Sequence, residues 1–262
     1  MTLIVTIAAN DAVVLASDSR LTLNSGFCDG EEKLIDLARP PHSALYVTGR
    51  RGFWAVEPAS QPDPCAYAAS HPRELDIGFV AREFVEAAGT DIEHLDLNAL
   101  GKHCATAIFE YVRQQTFLLP TTNYLTSVTL AAYDPDRSLV VYRSIEFSNV
   151  LSAGLGGLNN QINWRGSEDL RFKLDDAAEP MLVGESGYFI QHVLPTFLDG
   201  PLRDSTRAFW KSFPSFPSVR DTSRQTAMDV AIDIIEVASR MTSNVSAPSG
   251  IGGPIVVKVL GA

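Results

Sequence analysis

The sequence predicts an α+β fold in which two antiparallel sheets are stacked and helices lie outside them. Apolar runs of strand length open the chain and recur in its middle, and polar turns separate them. Apolar stripes with helical spacing form separate groups between these runs. Hairpin strands and grouped helices together are typical of packed antiparallel sheets with flanking helices.

Two hairpins are predicted from short apolar runs on either side of a polar turn. The first hairpin joins residues 2–7 to residues 12–16 through Asn10 and Asp11. The second joins residues 128–133 to residues 139–143 through an Asp-Pro-Asp-Arg turn. Proline and aspartate at such a position favour a tight turn.

Four apolar stripes with helical spacing predict helices within residues 80–88, 97–111, 190–198 and 227–241. Pro195 is expected to kink the third helix. Thr222 or Ser223 is expected to cap the fourth helix at its N-terminus, because a hydroxyl oxygen can accept a hydrogen bond from a free N–H there.

The 262 residues are interpreted as a single domain, residues 1–262. Two proline-rich segments, near residues 51–76 and 199–221, are expected to be loop insertions with little regular structure. Proline removes a backbone donor and fixes φ, which disfavours helix and strand interiors.

Composition narrows the partners and the compartment. A net charge of −10 disfavours nucleic acid as the main partner, and no apolar run reaches the roughly 18 residues that span a bilayer. The three widely spaced cysteines and the five histidines indicate neither a disulfide framework nor a metal site, and no cofactor motif stands out. We therefore expect a cytoplasmic protein with unpaired thiols, no signal peptide, no metal and no cofactor.

Thr2 is an unusual residue with which to begin a strand. If Met1 is removed, Thr2 carries a hydroxyl and a free α-amine, whose ordinary pKa of about 7.7–8.0 allows it to accept a proton near neutral pH. A threonine hydroxyl activated by its own amine is an established nucleophile for acyl transfer. The plain alternative is that Thr2 is simply a strand residue.

The N-terminal segment resembles the proteasome β-type and HslV-like peptidases, members of the N-terminal nucleophile (Ntn) hydrolase superfamily. The chain reads Val-Val-Leu-Ala-Ser-Asp-Ser-Arg-Leu-Thr over residues 13–22, and Asp18 follows Thr2 by 16 residues. Later segments resemble further family strands and turns in the same order, at residues 44–49, 127–134, 154–157 and 252–259. The resemblance implies a four-layer αββα sandwich of two antiparallel sheets flanked by helices.

The resemblance also implies roles for particular residues. Thr2 would be the nucleophile, Lys33 would stabilise it, Asp18 would orient Lys33, and the N–H of Gly49 would bind the oxyanion. Lys33 could instead belong to a solvated run of charges, and Gly49 could be a plain turn glycine.

Substrate contacts follow from the same resemblance. Thr22 would bind an extended peptide through its main chain, while Val47 and Arg51 would shape the pocket for the residue before the scissile bond. Arg51 would then select acidic side chains, although it could equally point to solvent.

Two positions depart from the family pattern. Leu155 and Ile251 stand where the family has serines near the nucleophile. Three functions therefore remain open: a threonine peptidase acting on peptides or unfolded proteins, a catalytically silent scaffold subunit, and a non-proteolytic amidase. By resemblance, the chain would form a homo-oligomeric ring, with an ATPase as a possible partner.

Overall fold

The computed structural model describes residues 2–23, 26–38, 42–114, 125–154, 157–173, 181–183, 223–243 and 250–261. The described strands are β1 (Ile4–Ala8), β2 (Ala12–Asp18), β3 (Arg20–Leu23), β4 (Gly26–Asp29), β5 (Leu34–Asp36), β6 (Ser43–Gly49), β7 (Gly52–Phe53), β8 (Leu75–Asp76), β9 (Leu125–Asp134), β10 (Leu139–Gly154), β11 (Gly157–Lys173), β12 (Met181–Val183) and β13 (Ile255–Gly261). The described α-helices are α1 (Pro64–Ser70), α2 (Ile77–Ala88), α3 (Leu97–Gln114) and α4 (Arg224–Ser243). Two short 3-10 helices cover Pro58–Ser60 and Ile92–His94.

The chain is a mixed α+β protein that divides into two compact units. The first unit comprises residues 1–33, 133–140 and 171–262, and the second comprises residues 34–132 and 141–170.

The first unit is built on a four-stranded sheet in the order β12-β1-β2-β13, with antiparallel pairing throughout. Every residue of β1 and β2 is buried, and α4 packs on β1, β2 and β13. The hairpin predicted at Asn10 and Asp11 is confirmed, because the N–H of Ala9 donates to the carbonyl of Ala12 across the turn at 2.8 Å.

Helix α4 confirms its prediction and its cap. The hydroxyl oxygen of Ser223 accepts a hydrogen bond from the N–H of Thr226 at 3.2 Å, which makes Ser223 the N-cap. The buried face of α4 carries small and branched apolar residues, namely Ala227, Ala231, Ile234, Ile235 and Ala238.

The second unit is built around a five-stranded sheet in the order β11-β10-β9-β6-β5. Helix α2 packs on α3 and on β6, and side chains of both helices and of the sheet form one apolar core around Val47, Leu100 and Phe147. Both helices were predicted from their apolar stripes. The turn between β9 and β10 is also confirmed, since the Asp134 carboxylate accepts from the backbone N–H groups of Asp136 and Arg137.

The expectation of an irregular loop near residues 51–76 is wrong. That segment holds β7, α1 and β8, and β7 pairs with β8 through Gly52 and Asp76. The prolines lie where regular structure tolerates them, because Pro64 occupies the first turn of α1. The predicted helix at 190–198, the insertion near 199–221 and the position of Leu155 lie outside the described residues.

The cysteines also differ from expectation. Cys28 and Cys65 are each in a disulfide, whereas Cys104 is a free thiol buried on α3. Burial raises the pKa of the Cys104 thiol to about 12, which keeps it protonated and unreactive. The expectation of three unpaired thiols therefore holds only for Cys104.

No helix in the described part of the chain is long and apolar enough to cross a membrane.

We expect Ile108→Ala to lower the free energy of unfolding by about 2–5 kcal/mol, because it leaves a cavity in the core of the second unit. Ile108 is fully buried, whereas its neighbour Phe109 is 39% exposed. Phe109→Ala is the matched control and should cost much less. Urea unfolding followed by circular dichroism measures both, and equal losses would contradict the assigned face of α3.

Candidate active site

The site is organised around the carboxylate of Asp18, the last residue of β2. Asp18 is fully buried. Its Oδ1 accepts hydrogen bonds from the Leu3 backbone N–H at 3.0 Å and from Lys33 Nζ at 2.8 Å. Its Oδ2 accepts from the backbone N–H groups of Arg20 and Gly252, both at 3.3 Å. These four donors replace the water that a buried carboxylate loses.

Lys33 is buried with Asp18 and is only 5% exposed. The alternative that it belongs to a solvated run of charges is therefore wrong, although its neighbour Glu32 is exposed. Burial lowers the pKa of Lys33 below its ordinary value, while the attraction of Asp18 opposes that change. A lowered pKa allows this amine to exchange a proton more readily near neutral pH.

Thr2 directly precedes Leu3, whose backbone N–H donates to this ion pair. It is 5% exposed, and β1 and β2 are registered so that Ile4 faces Ser17. The pairing continues outward, since Asp18 N–H donates to the Leu3 carbonyl at 3.4 Å. The peptide group between Thr2 and Leu3 is thus tied to Asp18, and Lys33 Nζ lies within two hydrogen-bond lengths of the Leu3 nitrogen.

A glycine turn covers the other side of Asp18. Gly252 has a φ of +157°, and a Cβ there would lie 2.5 Å from Arg20 Cζ. Gly253 has a φ of +75°, and a Cβ there would lie 2.7 Å from Ser19 Oγ. Only glycine fits both positions, so this turn can approach closely enough for Gly252 N–H to reach Asp18.

Arg20 and Asp29 hold this turn, and the sequence analysis missed both. Arg20 Nε and Nη2 donate to the two carboxylate oxygens of Asp29 at 2.8 and 3.2 Å, and Nη1 donates to the Ile251 carbonyl at 3.4 Å. The hydrogen bond from Arg20 keeps the pKa of Asp29 below its usual range. Arg20 lies two residues after Asp18 in the motif, but its partner Asp29, nine residues further on in β4, has no signal in the sequence.

Ile251 is fully buried, and its carbonyl also accepts a hydrogen bond from Ser239 Oγ at 3.2 Å. It therefore offers an apolar side chain where the resembled family has a hydroxyl. The sequence analysis noted this departure, and the structure shows that the Ile251 side chain is part of the interior.

The residues predicted to bind substrate and the oxyanion lie on strands of both units. Thr22 lies on β3, exposed and paired with Phe27 of β4 in the first unit. Gly49 and Val47 lie at the end of β6 in the second unit. Gly49 has a φ of +79°, which glycine adopts without strain, whereas Val47 is 3% exposed and belongs to the apolar core.

Arg51, also in the second unit, has a structural partner. Its Nε and Nη2 lie 3.0 and 2.9 Å from the two carboxylate oxygens of Asp76. Asp76 also caps α2 by accepting from the Phe79 N–H. The guanidinium of Arg51 thus fixes the start of α2, and any contact with substrate would share it with Asp76.

No family model matches the chain, and no curated protein matches it. A solved structure titled Anbu (Gly-1) mutant, from Hyphomicrobium sp. strain MC1, is similar over 100% of this chain and 82% of its own length. The two chains share 14% sequence identity, and the TM-score is 0.41.

We expect Lys33→Met to change how stability depends on pH. Burial lowers the pKa of Lys33 from its ordinary 10.5, so just below pH 10.5 the unfolded chain binds more protons at this residue than the folded chain does. The contribution of Lys33 to the free energy of unfolding therefore rises with pH between the folded pKa and 10.5, and it is constant below the folded pKa, where both states hold the proton. Urea unfolding at a series of pH values should show the wild type gaining on Lys33→Met towards pH 10.5.

Lys102→Met controls for the loss of one positive charge, because Lys102 is exposed on α3. If the stability difference between the wild type and Lys33→Met stayed constant over this pH range, the pKa of Lys33 would not be lowered by folding.

Proposed function

We propose that this chain is a proteasome-like N-terminal nucleophile hydrolase in which Thr2, freed by removal of Met1, cleaves peptide bonds. The observation that carries the proposal is the buried ion pair of Asp18 and Lys33 beside the first strand residues. A buried ion pair is weak evidence for stability, because apolar side chains of similar volume often stabilise a core as well or better. A lysine with a lowered pKa, paired with a fixed carboxylate, is instead typical of a functional site.

The reaction follows from these groups. The Thr2 Oγ1 attacks the substrate carbonyl carbon while its proton moves to the α-amine of the same residue. When the substrate C–N bond breaks, the resulting ammonium returns that proton to the leaving amine, and an ester to Oγ1 remains. Water then attacks the ester, the α-amine takes a proton from that water, and Oγ1 leaves with the proton.

Lys33 and Asp18 act on the charge that develops in these steps. The Lys33 ammonium favours the developing negative charge on Oγ1, and Asp18 fixes Lys33 in place. In this proposal the N–H of Gly49 binds the oxyanion, Thr22 pairs with the substrate main chain, and Val47 and Arg51 shape the preceding pocket.

The same proposal includes the four-layer αββα sandwich. A helix packs on the sheet of each unit: α4 in the first unit and α2 in the second. Residues that alternate along a strand, such as Leu45 and Tyr46 of β6, are both buried, so both faces of that sheet are covered. A sheet buried on both faces is typical of an inner layer. A cytoplasmic homo-oligomeric ring, with an ATPase partner, completes the proposal by resemblance.

A catalytically silent scaffold subunit is the second candidate, and Ile251 favours it. Its buried apolar side chain replaces a family serine, which removes a hydroxyl that would support proton transfer. Retention of Met1 in the purified protein, measured by intact mass, would support this candidate, since Thr2 would then have no free amine.

We expect Thr2→Ala to abolish both cleavage of fluorogenic peptides and labelling by a peptide sulfonyl fluoride, with the fold intact. The reagent transfers its sulfonyl group to an activated hydroxyl and releases fluoride, so labelling reports the nucleophile even when turnover is slow. Peptide mapping by mass spectrometry should place the label on Thr2 in the wild type and on residue 2 in Thr2→Ser.

Thr6→Ala is the matched control, because Thr6 is a second buried threonine, on the strand that follows Thr2. The Thr6→Ala protein should be labelled at Thr2 as fast as the wild type. Labelling of Thr2→Ala at the wild-type rate would overturn the proposed function. Cleavage of simple amides without cleavage of any peptide would point to the amidase reading.

A further inference from the structure

Ser19 is a buried hydroxyl that the proposed mechanism does not use. It is 2% exposed, and among the described residues its Oγ has no hydrogen-bond partner. An unpaired buried hydroxyl costs free energy, so its position directly after Asp18 needs a reason.

The main chain of Ser19 is held firmly on both sides. Its N–H donates to the Gly252 carbonyl at 3.1 Å, and its carbonyl accepts from the N–H groups of Gly30 and Glu31 at 3.0 and 2.8 Å. The side chain also packs closely on Gly253, where a Cβ would lie 2.7 Å from Oγ. These contacts fix the main chain of Ser19, whereas its hydroxyl makes no hydrogen bond among the described residues.

The register of the two strands points Thr2 towards Ser19. The last registered pair is Ile4 with Ser17, and the next residues outward, Leu3 and Asp18, are joined by hydrogen bonds that include the Asp18 side chain. Extending this register by one more residue would set Thr2 opposite Ser19. Directly opposite residues of antiparallel strands have Cβ atoms about 4.5–5.5 Å apart, on the same side of the sheet.

We infer that Ser19 Oγ accepts a hydrogen bond from the α-amine of Thr2 and so directs the lone pair of that amine towards Thr2 Oγ1. Ser19 is then a positioning residue that acts through the amine, and the inference rests on the proposed function of Thr2. It also explains how an orienting hydroxyl can be retained although Ile251 offers none. Because an acceptor stabilises the ammonium form, Ser19 holds the amine pKa higher than it would be without a partner.

The test compares Ser19→Ala with Ser17→Ala by the rate of Thr2 labelling with the peptide sulfonyl fluoride between pH 5 and pH 9, a range that includes the ordinary amine pKa of about 7.7–8.0. Ser17 is the matched control, since it is a buried serine at the end of β2 and its Oγ likewise has no partner among the described residues, but it faces Ile4. We expect Ser19→Ala to slow labelling about tenfold or more and to move the acid limb of the pH profile to lower pH. Ser17→Ala should leave both unchanged.

A merely structural role for Ser19 would lower the rate without moving the acid limb, and that result would overturn the inference. If Ser19→Ala were labelled at the wild-type rate with an unchanged pH profile, the inference about Ser19 would be overturned as well. The proposed function would still stand in that case, provided that the wild type is labelled at Thr2. Absence of Thr2 labelling in the wild type would overturn both. If Ser19→Ala folds poorly, Ser19→Cys carries the same test, because it keeps the size and replaces a strong acceptor with a weak one.

Discussion

The buried carboxylate of Asp18 is the interaction on which the first unit depends. Four donors meet on it, from Leu3 at the start of the first strand, from Arg20, from the Gly252 turn and from Lys33. These donors come from four separate positions between Leu3 and Gly252, so a single carboxylate joins the start of the first strand, the Gly252 turn and Lys33. The chemistry proposed for Thr2 needs the same rigidity, since a nucleophile and its base must be held in one geometry.

Local pattern was sufficient for three of the helices and for two hairpins, and it failed where long-range pairing decides the structure. The stripes of α2, α3 and α4 and the turns at Asn10 and Asp134 follow from spacing and turn chemistry, and the structure has them all. The segment near 51–76 was interpreted as a loop because of its prolines. In the structure Gly52 pairs with Asp76 at the other end of this segment, and no local property of either residue predicts that pairing.

In the candidate site, too, the residues of a sequence motif were predicted, whereas residues that are recognised only by their contacts were not. Asp18 and Lys33 were identified through the resemblance, and the structure brings them to 2.8 Å. Arg20 and Asp29 were not identified, because surface arginines and aspartates are common and only the fold reveals a bidentate pair. Gly252 was interpreted as a turn glycine, whereas it also donates to Asp18 and leaves room for the Arg20 guanidinium.

The change from apolar to polar residues at the end of β2 indicates a role other than stability. From Ala12 to Ala16 every residue is apolar and buried, as a central strand requires, but Ser17, Asp18 and Ser19 that follow are polar and equally buried. A sequence selected for stability alone would continue the apolar run, because buried polar groups gain little and cost free energy when unpaired. Local rules that fail at one strand end, beside a lysine with a lowered pKa, are characteristic of functional sites.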